Sequence, residues 1–362
     1  SVSFFDPWFG GKRPNSFSVS AFYSVQTDIS SNYYNSAYMN NYWNYYSGYG
    51  SYYNNYYNNY ESYYDPDKSI QMYGLSLGWG KRLRWPDDYF TLSAELSFQR
   101  FILKDWSYLY IRLNNGEYMS TGSCNNLSFG FTLARNSTDN PIFPRRGSDF
   151  SASVNFTPPY SLFSSRDYAT YGKDNYDEAA SVFNWIEYHK WKFKAKTYTA
   201  LTGAQKCPVI MTRAEFGLLG HYNKYKKSPF ETFYMGGDGM TGYSTSYASE
   251  TAALRGYENG SLTPYGSEGY AYVRLGAELR YPLMLENSTS IYALGFVEGG
   301  NAWTEVSKFN PFNLKRSAGV GVRIFLPMIG MMGIDWAYGF DKINGSSQYS
   351  GSQFHFIIGQ EF

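Results

Sequence analysis

The feature that most constrains this chain is a strict two-residue alternation of apolar and non-apolar side chains in its second half. Residues 272–283 read YVRLGAELRYPL. A β-strand sends successive side chains to opposite faces, so residues 273–281 separate completely into an apolar and a non-apolar set. One face holds Val273, Leu275, Ala277, Leu279 and Tyr281, and the other holds Arg274, Gly276, Glu278 and Arg280. The segments AGVGVRIFLP and GIDWAYGF repeat the pattern.

The non-apolar face of these segments is unusual for a soluble sheet. A soluble sandwich turns lysine, glutamate and threonine into water, whereas these faces carry glycine with isolated charges. Small residues with a few charges are expected where a face lines a crowded interior, and a continuous apolar face suits contact with lipid. The alternation therefore predicts an all-β fold, a transmembrane antiparallel β-barrel.

Composition supports a membrane protein that crosses with strands rather than helices. Of the 362 residues, 43% are hydrophobic and 21% aromatic, yet the mean hydropathy is −0.46. The sequence contains no run of about 18 apolar residues, the length that a transmembrane helix needs. The net charge is +1, so nothing points to nucleic acid as a partner.

Thirteen segments have the length and the alternation of tilted membrane strands. They lie near residues 1–7, 16–28, 69–82, 88–103, 124–136, 148–158, 184–201, 207–220, 267–283, 290–303, 313–327, 331–341 and 352–362. Short turns alternate with long loops near 29–66, 104–122, 159–183, 221–266, 304–312 and 342–350. In outer-membrane barrels the short turns face the periplasm and the long loops face outside. We therefore predict a single outer-membrane barrel domain over 1–362.

The first long loop, 29–66, is a tyrosine- and asparagine-rich tract with neither strand nor helix periodicity. Polar low-complexity tracts need not pack, so one interpretation is a poorly ordered surface insertion. The other is an adhesive aromatic cap over the extracellular mouth of the barrel.

The strand count is odd, whereas bacterial single-chain barrels have even numbers of strands. An unpaired strand edge in lipid is costly. Since the chain starts within an apparent strand and shows no signal peptide, we expect further strands before Ser1.

Several motifs, in order along the chain, resemble the BamA family, the central barrels of the outer-membrane protein assembly machine. The sequence LRGY, residues 254–257, is similar to the signature of the family's sixth extracellular loop, and PFETFYMGGDGMTGY before it resembles Bacteroidetes-type members. The other similar segments are FPRRGS, GFVEGGNAW, SAGVGVRIFLPMIGMMGIDWAYGFD and the C-terminal FHFIIGQEF.

The resemblance implies a sixteen-stranded barrel in the outer membrane of a Gram-negative cell, of which this chain covers about strands four to sixteen. The first three strands and the periplasmic POTRA domains are absent from the sequence. It also implies that the protein folds and inserts β-barrel proteins through a lateral gate. Its partners would be unfolded β-barrel clients, accessory lipoproteins of the assembly complex, and membrane lipid with lipopolysaccharide.

Arg255, within LRGY, needs a carboxylate if it lies inside the barrel, because an unpaired buried charge costs several kcal/mol. Alternation places Glu278 and Asp335 on inner faces, but it leaves Glu298 ambiguous, since Glu298 shares a face with apolar residues. By resemblance, Glu298 takes the position of a family aspartate, and its longer side chain would loosen the geometry. We hypothesise that Arg255 pins loop 6 (residues 221–266), with Leu254 before it, Gly256 allowing a tight turn and Tyr257 packing on the wall. The alternative is an ordinary surface arginine.

The last predicted strand carries a second hypothesis. Its apolar face comprises Phe354, Phe356, Ile358 and Phe362, and its other face comprises His355, Ile357, Gly359 and Glu361. The plain interpretation is a lipid-facing strand. The resemblance implies one side of the lateral gate, where Gly359 would weaken local pairing because glycine disfavours ordered strand.

Enzymatic chemistry finds little support in the sequence. The three histidines are scattered, and there is no nucleophile elbow, paired Cys/His spacing or phosphate-binding loop. We therefore expect no enzyme activity, metal or cofactor. Besides the assembly factor, two functions stay open, namely a secretion transporter of the same superfamily and a passive porin-like channel.

Overall fold

A computed structural model of the chain describes residues 1–11, 15–29, 64–105, 111–112, 118–172, 176–204, 206–228, 230–239, 250–263, 269–286, 289–328 and 330–358. Most of the tyrosine- and asparagine-rich tract lies outside the described residues, so both interpretations of it stay open. Gly359 and Phe362 of the C-terminal signal also lie outside them.

One large antiparallel sheet forms the body of the protein. Its strands are, in spatial order, β1 (Val2–Asp6), β2 (Asn15–Ile29), β3 (Tyr64–Arg82), β4 (Phe90–Lys104), β7 (Gly122–Asn136), β8 (Arg146–Phe156), β9 (His189–Ala200), β10 (Val209–Gly220), β13 (Ala271–Leu285), β14 (Ser290–Trp303), β15 (Lys315–Leu326), β16 (Gly330–Lys342) and β17 (Tyr349–Ile358). Within the described residues, neighbours in this sheet follow one another along the chain, and two short pairs of strands that lie in the loops are not part of the sheet. The up-and-down order is the one that a barrel requires.

The two short pairs lie within long loops. Strands β5 (Ile111–Arg112) and β6 (Tyr118–Met119) pair antiparallel, whereas β11 (Phe233–Met235) and β12 (Glu250–Ala252) pair parallel within loop 6. Loop 6 lies on the inner face of the large sheet, which we define as the face that its tip contacts. An inner cavity of about 300 Å³ is bordered by Asp149 of β8, Lys194 of β9, Glu215 of β10 and Ile357 of β17. Strands far apart in the order thus surround a common interior.

The predicted faces are the observed ones. In β13, β15 and β16 most of the alternating apolar residues are exposed on the outer face, as Leu279, Val320 and Trp336 illustrate, whereas Val273 is buried in a cluster with Trp303. The opposite face is buried, although it carries charged side chains such as Arg280 and Arg323. This inversion, with apolar residues outside and charges inside, is what a sheet surrounded by lipid needs.

All thirteen predicted strands are present, and the predicted all-β fold class is confirmed. Two strand starts differ from the prediction by five residues: β9 begins at His189 rather than at 184, and β3 begins at Tyr64 rather than at 69. The loop predicted for 159–183 also contains an α-helix, α1 (Tyr176–Phe183). Asp177 and Glu178 in its first turn complement the helix dipole, and Ala179 and Val182 bury one side of it. No described helix is long and apolar enough to cross a membrane.

Candidate functional site

The tip of loop 6 is organised around one buried arginine. Arg255 is 0% exposed, which excludes the alternative of an ordinary surface arginine. Its Nη2 lies 2.6 Å from Glu278 Oε1 and 2.6 Å from Glu298 Oε1, and its Nη1 lies 3.1 Å from Asp335 Oδ2. The structure therefore brings Arg255 together with all three carboxylates considered as its partners. Glu298, whose face was ambiguous, points inward.

Glycines opposite the charged residues make room for this arrangement. In the sheet register Glu298 stands opposite Gly276, and Asp335 stands opposite Gly321. A Cβ atom at residue 321 would collide with the Asp335 carboxylate, and one at residue 276 would lie 3.3 Å from Glu298 Cγ. The pairing of glycine with charge across strands explains why the inner faces read as glycine with isolated charges.

Arg255 belongs to a larger group of buried charges. Arg274 Nη2 lies 2.7 Å from Glu298 Oε1, and both Nε and Nη2 of Arg280 lie 2.9 Å from Glu278 Oε2. Arg323 donates two hydrogen bonds to the Asp335 carboxylate, of 2.6 and 2.7 Å. Arg213 and Glu215 complete the lumenal charge cluster, in which Arg213 lies 3.4 Å from Glu215 and 3.7 Å from Glu298.

The lumenal charge cluster thus consists of Arg213, Arg255, Arg274, Arg280, Arg323, Glu215, Glu278, Glu298 and Asp335. Strands β10, β13, β14, β15 and β16 supply every member except Arg255. A single loop residue therefore joins carboxylates from three different strands, so the position of loop 6 depends on the shape of the sheet.

The guanidinium of Arg255 also lies over an aromatic ring. Its Cζ atom is 3.5 Å from the centroid of Phe296, which is on the inner face of β14. Arginine favours this stacking because its planar cation is attracted to the ring face. Burial lowers the pKa of the Arg255 guanidinium, but Glu298 and Glu278 outweigh burial and hold that pKa above its ordinary value. Arg255 is therefore charged in the folded protein.

The backbone of the loop tip is held as firmly as the side chain. The Arg255 N–H donates to Glu298 Oε2 at 3.2 Å, and the Gly256 N–H donates to His355 Nε2 at 2.9 Å. The Gly256 carbonyl accepts from the Ser350 hydroxyl at 2.6 Å. Loop 6 is thus tied both to the middle of the sheet and to the last described strand.

Gly256 has two reasons to be glycine. Its φ is +86°, a left-handed conformation that other residues adopt only with strain. A Cβ atom there would lie 2.8 Å from Ser317 Cβ and 3.1 Å from the Gly339 backbone nitrogen. The loop tip therefore packs directly on strands β15 and β16.

Leu254 and Tyr257 flank this contact. Leu254 is fully buried and exchanges two backbone hydrogen bonds with Gly237, of 3.1 and 3.2 Å. Gly237 belongs to the sequence GGDG, residues 236–239, which precedes LRGY in loop 6. The Tyr257 hydroxyl donates to the Arg316 carbonyl at 2.9 Å. Along LRGY, Leu254 therefore contacts GGDG, Arg255 contacts the lumenal charge cluster, and Gly256 and Tyr257 contact the sheet.

The last described strand, β17, has one exposed outer face and one buried inner face. Phe354, Phe356 and Ile358 are exposed on the outer surface, whereas His355 and Ile357 are buried on the inner face. Within the described residues, the sheet ladder joins β17 to β16. Its role as one side of a gate stays a prediction.

Sequence reasoning missed several members of the site. Arg274, Arg280 and Arg323 were placed on charged faces but not paired with the acids, and Arg213, Glu215 and His355 were not considered as members. The available signal was the opposition of glycine and charge at a two-residue period, which extends to RAEFG at 213–217. The expected loosening at Glu298 was wrong, because its Oε1 makes contacts of 2.6 and 2.7 Å with two arginines. In the part of the chain that the structure describes, no group of three or more metal-binding side chains occurs.

Comparison with known proteins gives a family and a fold. A family model described as the Omp85 superfamily domain matches residues 1–362. The fold is similar to that of BamA from Haemophilus ducreyi lacking POTRA domains 1–3, with a TM-score of 0.63 and 17% sequence identity. The match covers 99% of this chain but only 61% of that chain.

A second solved structure, CdiB from Escherichia coli, matches with a TM-score of 0.48 and 12% identity, over 94% of this chain and 49% of that chain. No curated protein sequence matches this chain. At 17% identity the BamA structure shows the fold alone. This chain spans less than two thirds of the length of either solved structure.

Proposed function

Because this chain belongs to the Omp85 superfamily, we propose that it is the barrel of an outer-membrane protein assembly factor. In this proposal it folds and inserts β-barrel proteins in the outer membrane of a Gram-negative cell. The activity breaks no covalent bond, so it requires no catalytic residue, metal or cofactor. The partners are unfolded β-barrel clients, accessory lipoproteins of a BamA-type complex, and membrane lipid with lipopolysaccharide.

The observation that carries the proposal is the occupation of the interior by loop 6. A client that passed through the lumen would have to displace Arg255 from Glu278, Glu298 and Asp335. Each of these carboxylates keeps a sheet arginine as partner, Arg280, Arg274 and Arg323 respectively, so the cost is the loss of the short charged contacts of Arg255. A hydrogen bond to a charged group contributes roughly 1.5–3 kcal/mol, so three such contacts are costly to break. A client that joins the sheet at its edge leaves these contacts intact. The geometry therefore favours a lateral route over a lumenal one.

Strand β17 is suited to a lateral route, in which a client strand pairs with the edge of the sheet. Strand addition uses backbone hydrogen bonds, which any client sequence can supply, so it suits a broad range of clients. The outer face of β17 carries Phe354, Phe356 and Ile358, and a client strand paired beside it would continue an apolar surface into lipid. We propose β17 as one side of the lateral gate.

Two other functions compete with this one. A dedicated secretion transporter would export one or a few partners through the lumen, which requires loop 6 to leave its site. A passive porin-like channel would need an open lumen. The buried loop tip argues against the channel directly and against the transporter by the cost of its removal.

The deciding experiment is depletion of the full-length protein in its own cells, followed by quantitative proteomics of the outer membrane. Cells that express the wild-type protein from a second copy serve as the control. We expect a broad fall in unrelated β-barrel proteins together with periplasmic stress. Loss of only one exported partner would replace the proposal with a secretion transporter. Intact barrels with altered solute uptake would replace it with a channel.

A further inference from the structure

The outer surface of the sheet contains an apolar groove of about 600 Å³ along β14. Its floor is Ala293 and Gly295, and its walls include Leu279 and Tyr281 of β13, Val320 of β15 and Trp336 of β16. We call it the β14 groove. Its volume falls within the range of about 300–1,000 Å³ that small-molecule sites occupy.

Strand register explains why the groove forms at this place. Gly295 stands directly between Leu279 and Val320, and Ala293 stands between Tyr281 and Val322. Two successive outward positions of β14 are therefore small, while their cross-strand neighbours are large. The same row of cross-strand partners continues from Val320 to Trp336 and from Trp336 to Phe354. The groove therefore extends toward β17.

Gly295 has no structural reason to be glycine. It is not among the glycines with positive φ, and a Cβ atom added there would meet no atom within 4 Å. Gly319 on the inner face differs, since a Cβ atom there would lie 2.5 Å from the Phe296 ring. Glycine inside a strand weakens it and often marks a place where a ligand approaches closely. The open space above Gly295 is therefore a property of the surface rather than a consequence of packing.

We propose that the β14 groove binds one acyl chain of a membrane phospholipid as an ordered ligand. All the side chains that line it are apolar or aromatic, and the backbone of β14 is paired with β13 and β15 on both sides. A peptide strand would find no free backbone partners there, whereas a hydrocarbon chain needs none. Dispersion favours occupation, because a groove that lipid fills poorly forfeits contacts on its lining.

The position of the groove selects phospholipid rather than lipopolysaccharide. Ala293 and Gly295 lie in the half of β14 (Ser290–Trp303) that begins at Ser290, the end joined to β13 by a four-residue connection. Short turns of outer-membrane barrels face the periplasm, and the periplasmic leaflet of that membrane consists of phospholipid. The inference rests on the membrane location of the sheet and not on the assembly activity.

The test uses the full-length protein in vesicles that contain phosphatidylethanolamine with a photoactivatable diazirine in one acyl chain. Labelled peptides are mapped by mass spectrometry for the wild type and for Gly295→Leu, which places a side chain in the groove at a position where an added Cβ meets no atom within 4 Å. Val297→Leu is the matched control, because Val297 also points outward from β14 but does not line the groove. Heat-modifiable mobility on gels verifies that each variant is folded.

We expect labelling at Leu279 and Trp336 to fall on the order of threefold in Gly295→Leu, a modest change because only packing contacts are lost. Val297→Leu should keep the wild-type labelling. Unlabelled phospholipid should compete for the site, and lipopolysaccharide should not. Equal labelling in Gly295→Leu and the wild type would overturn the proposal, and competition by lipopolysaccharide alone would overturn the assignment to phospholipid. Neither result would bear on assembly activity, which depletion tests separately.

Discussion

At the scale of single residues, Arg255 shows why the loop tip carries arginine rather than lysine. Its guanidinium contacts Glu278, Glu298 and Asp335 while its face lies on the Phe296 ring. A planar fork with five N–H donors can serve several acceptors at fixed angles, whereas an ammonium is a compact point charge. The site thus depends on the shape of the cation as well as on its charge.

The substitution Arg255→Lys should therefore weaken the docking of loop 6 although the charge is kept. We expect the free energy of unfolding to fall by about 2 kcal/mol, because at least one of the three buried carboxylates loses its hydrogen bond to residue 255 and keeps only its sheet arginine. Urea unfolding of the protein in vesicles measures this change, and hydrogen exchange of the Leu254–Tyr257 amides measures the local loosening.

Arg316→Lys is the matched control for that substitution. Arg316 also donates to a carboxylate, that of Asp341, through two of its side-chain nitrogens, but its side chain is 69% exposed. Exposed ion pairs contribute little, so we expect a change below about 0.5 kcal/mol. Similar losses in both variants would show that burial of the cluster is not what makes Arg255 important.

At the scale of elements, the stem of loop 6 is held by a stripe of lysines on the inner face of β9. Glu250 of β12 lies 3.1 Å from Lys190 and 3.1 Å from Lys192, with Lys194 at 4.0 Å. Residues two apart in a strand share a face, so one strand presents all three lysines to one carboxylate. Since β12 pairs with β11, this contact positions both strands of the stem.

The charge of Glu250 makes this contact sensitive to pH. Burial raises the pKa of Glu250, but Lys190 and Lys192 outweigh burial and hold the pKa below its ordinary value. A carboxyl group with a lowered folded pKa stabilises the protein above its unfolded pKa, about 4.3 for glutamate. That contribution is lost as the pH falls through the folded pKa.

Glu250→Gln should remove the contribution at neutral pH. We expect hydrogen exchange of the Phe233–Met235 and Glu250–Ala252 amides to be several times faster than in the wild type at pH ~7, and the difference to shrink at pH ~3. Glu305→Gln, which alters an exposed pair with Lys308, is the control and should leave these amides unchanged. A difference that persists undiminished at acid pH would rule out the charge as its cause.

At the scale of the whole molecule, the apolar outer face is meaningful only in a bilayer. Large side chains such as Leu279, Val320 and Trp336 are exposed in the middle of strands, while the opposite face carries buried charged residues that include Arg280 and Asp335. In water this surface would be an aggregation hazard. In lipid it is the surface of lowest free energy.

A charge placed on this surface should therefore be costly in proportion to its depth. We expect Val320→Arg, at a position 57% exposed in the middle of β15, to lower the free energy of unfolding by about 2–4 kcal/mol in vesicles. Phe312→Arg, at a position 93% exposed in the connection before β15, should cost less than about 1 kcal/mol. Equal costs at the two positions would mean that the membrane does not surround the sheet as described.

Much of the fold was determined by the sequence alone. The two-residue alternation of segments such as 272–283 predicted the strands and which face of each is apolar, because side-chain direction in a strand is a local property. Short turns force neighbouring strands to pair, so the order of the sheet followed as well. Helix α1 was missed, since its eight residues give too short a pattern to separate from a loop.

The site was determined by the sequence only in part. Arg255 and three candidate acids were predicted, because a buried cation requires buried anions. Which acids Arg255 contacts depends on how far loop 6 reaches and on how the sheet curves, and both result from many weak contacts distributed over the molecule. The inward position of Glu298, the contact of Gly256 with His355 and the open space above Gly295 were decided by tertiary structure alone. Each of them joins residues far apart in the chain, and no local pattern encodes that distance.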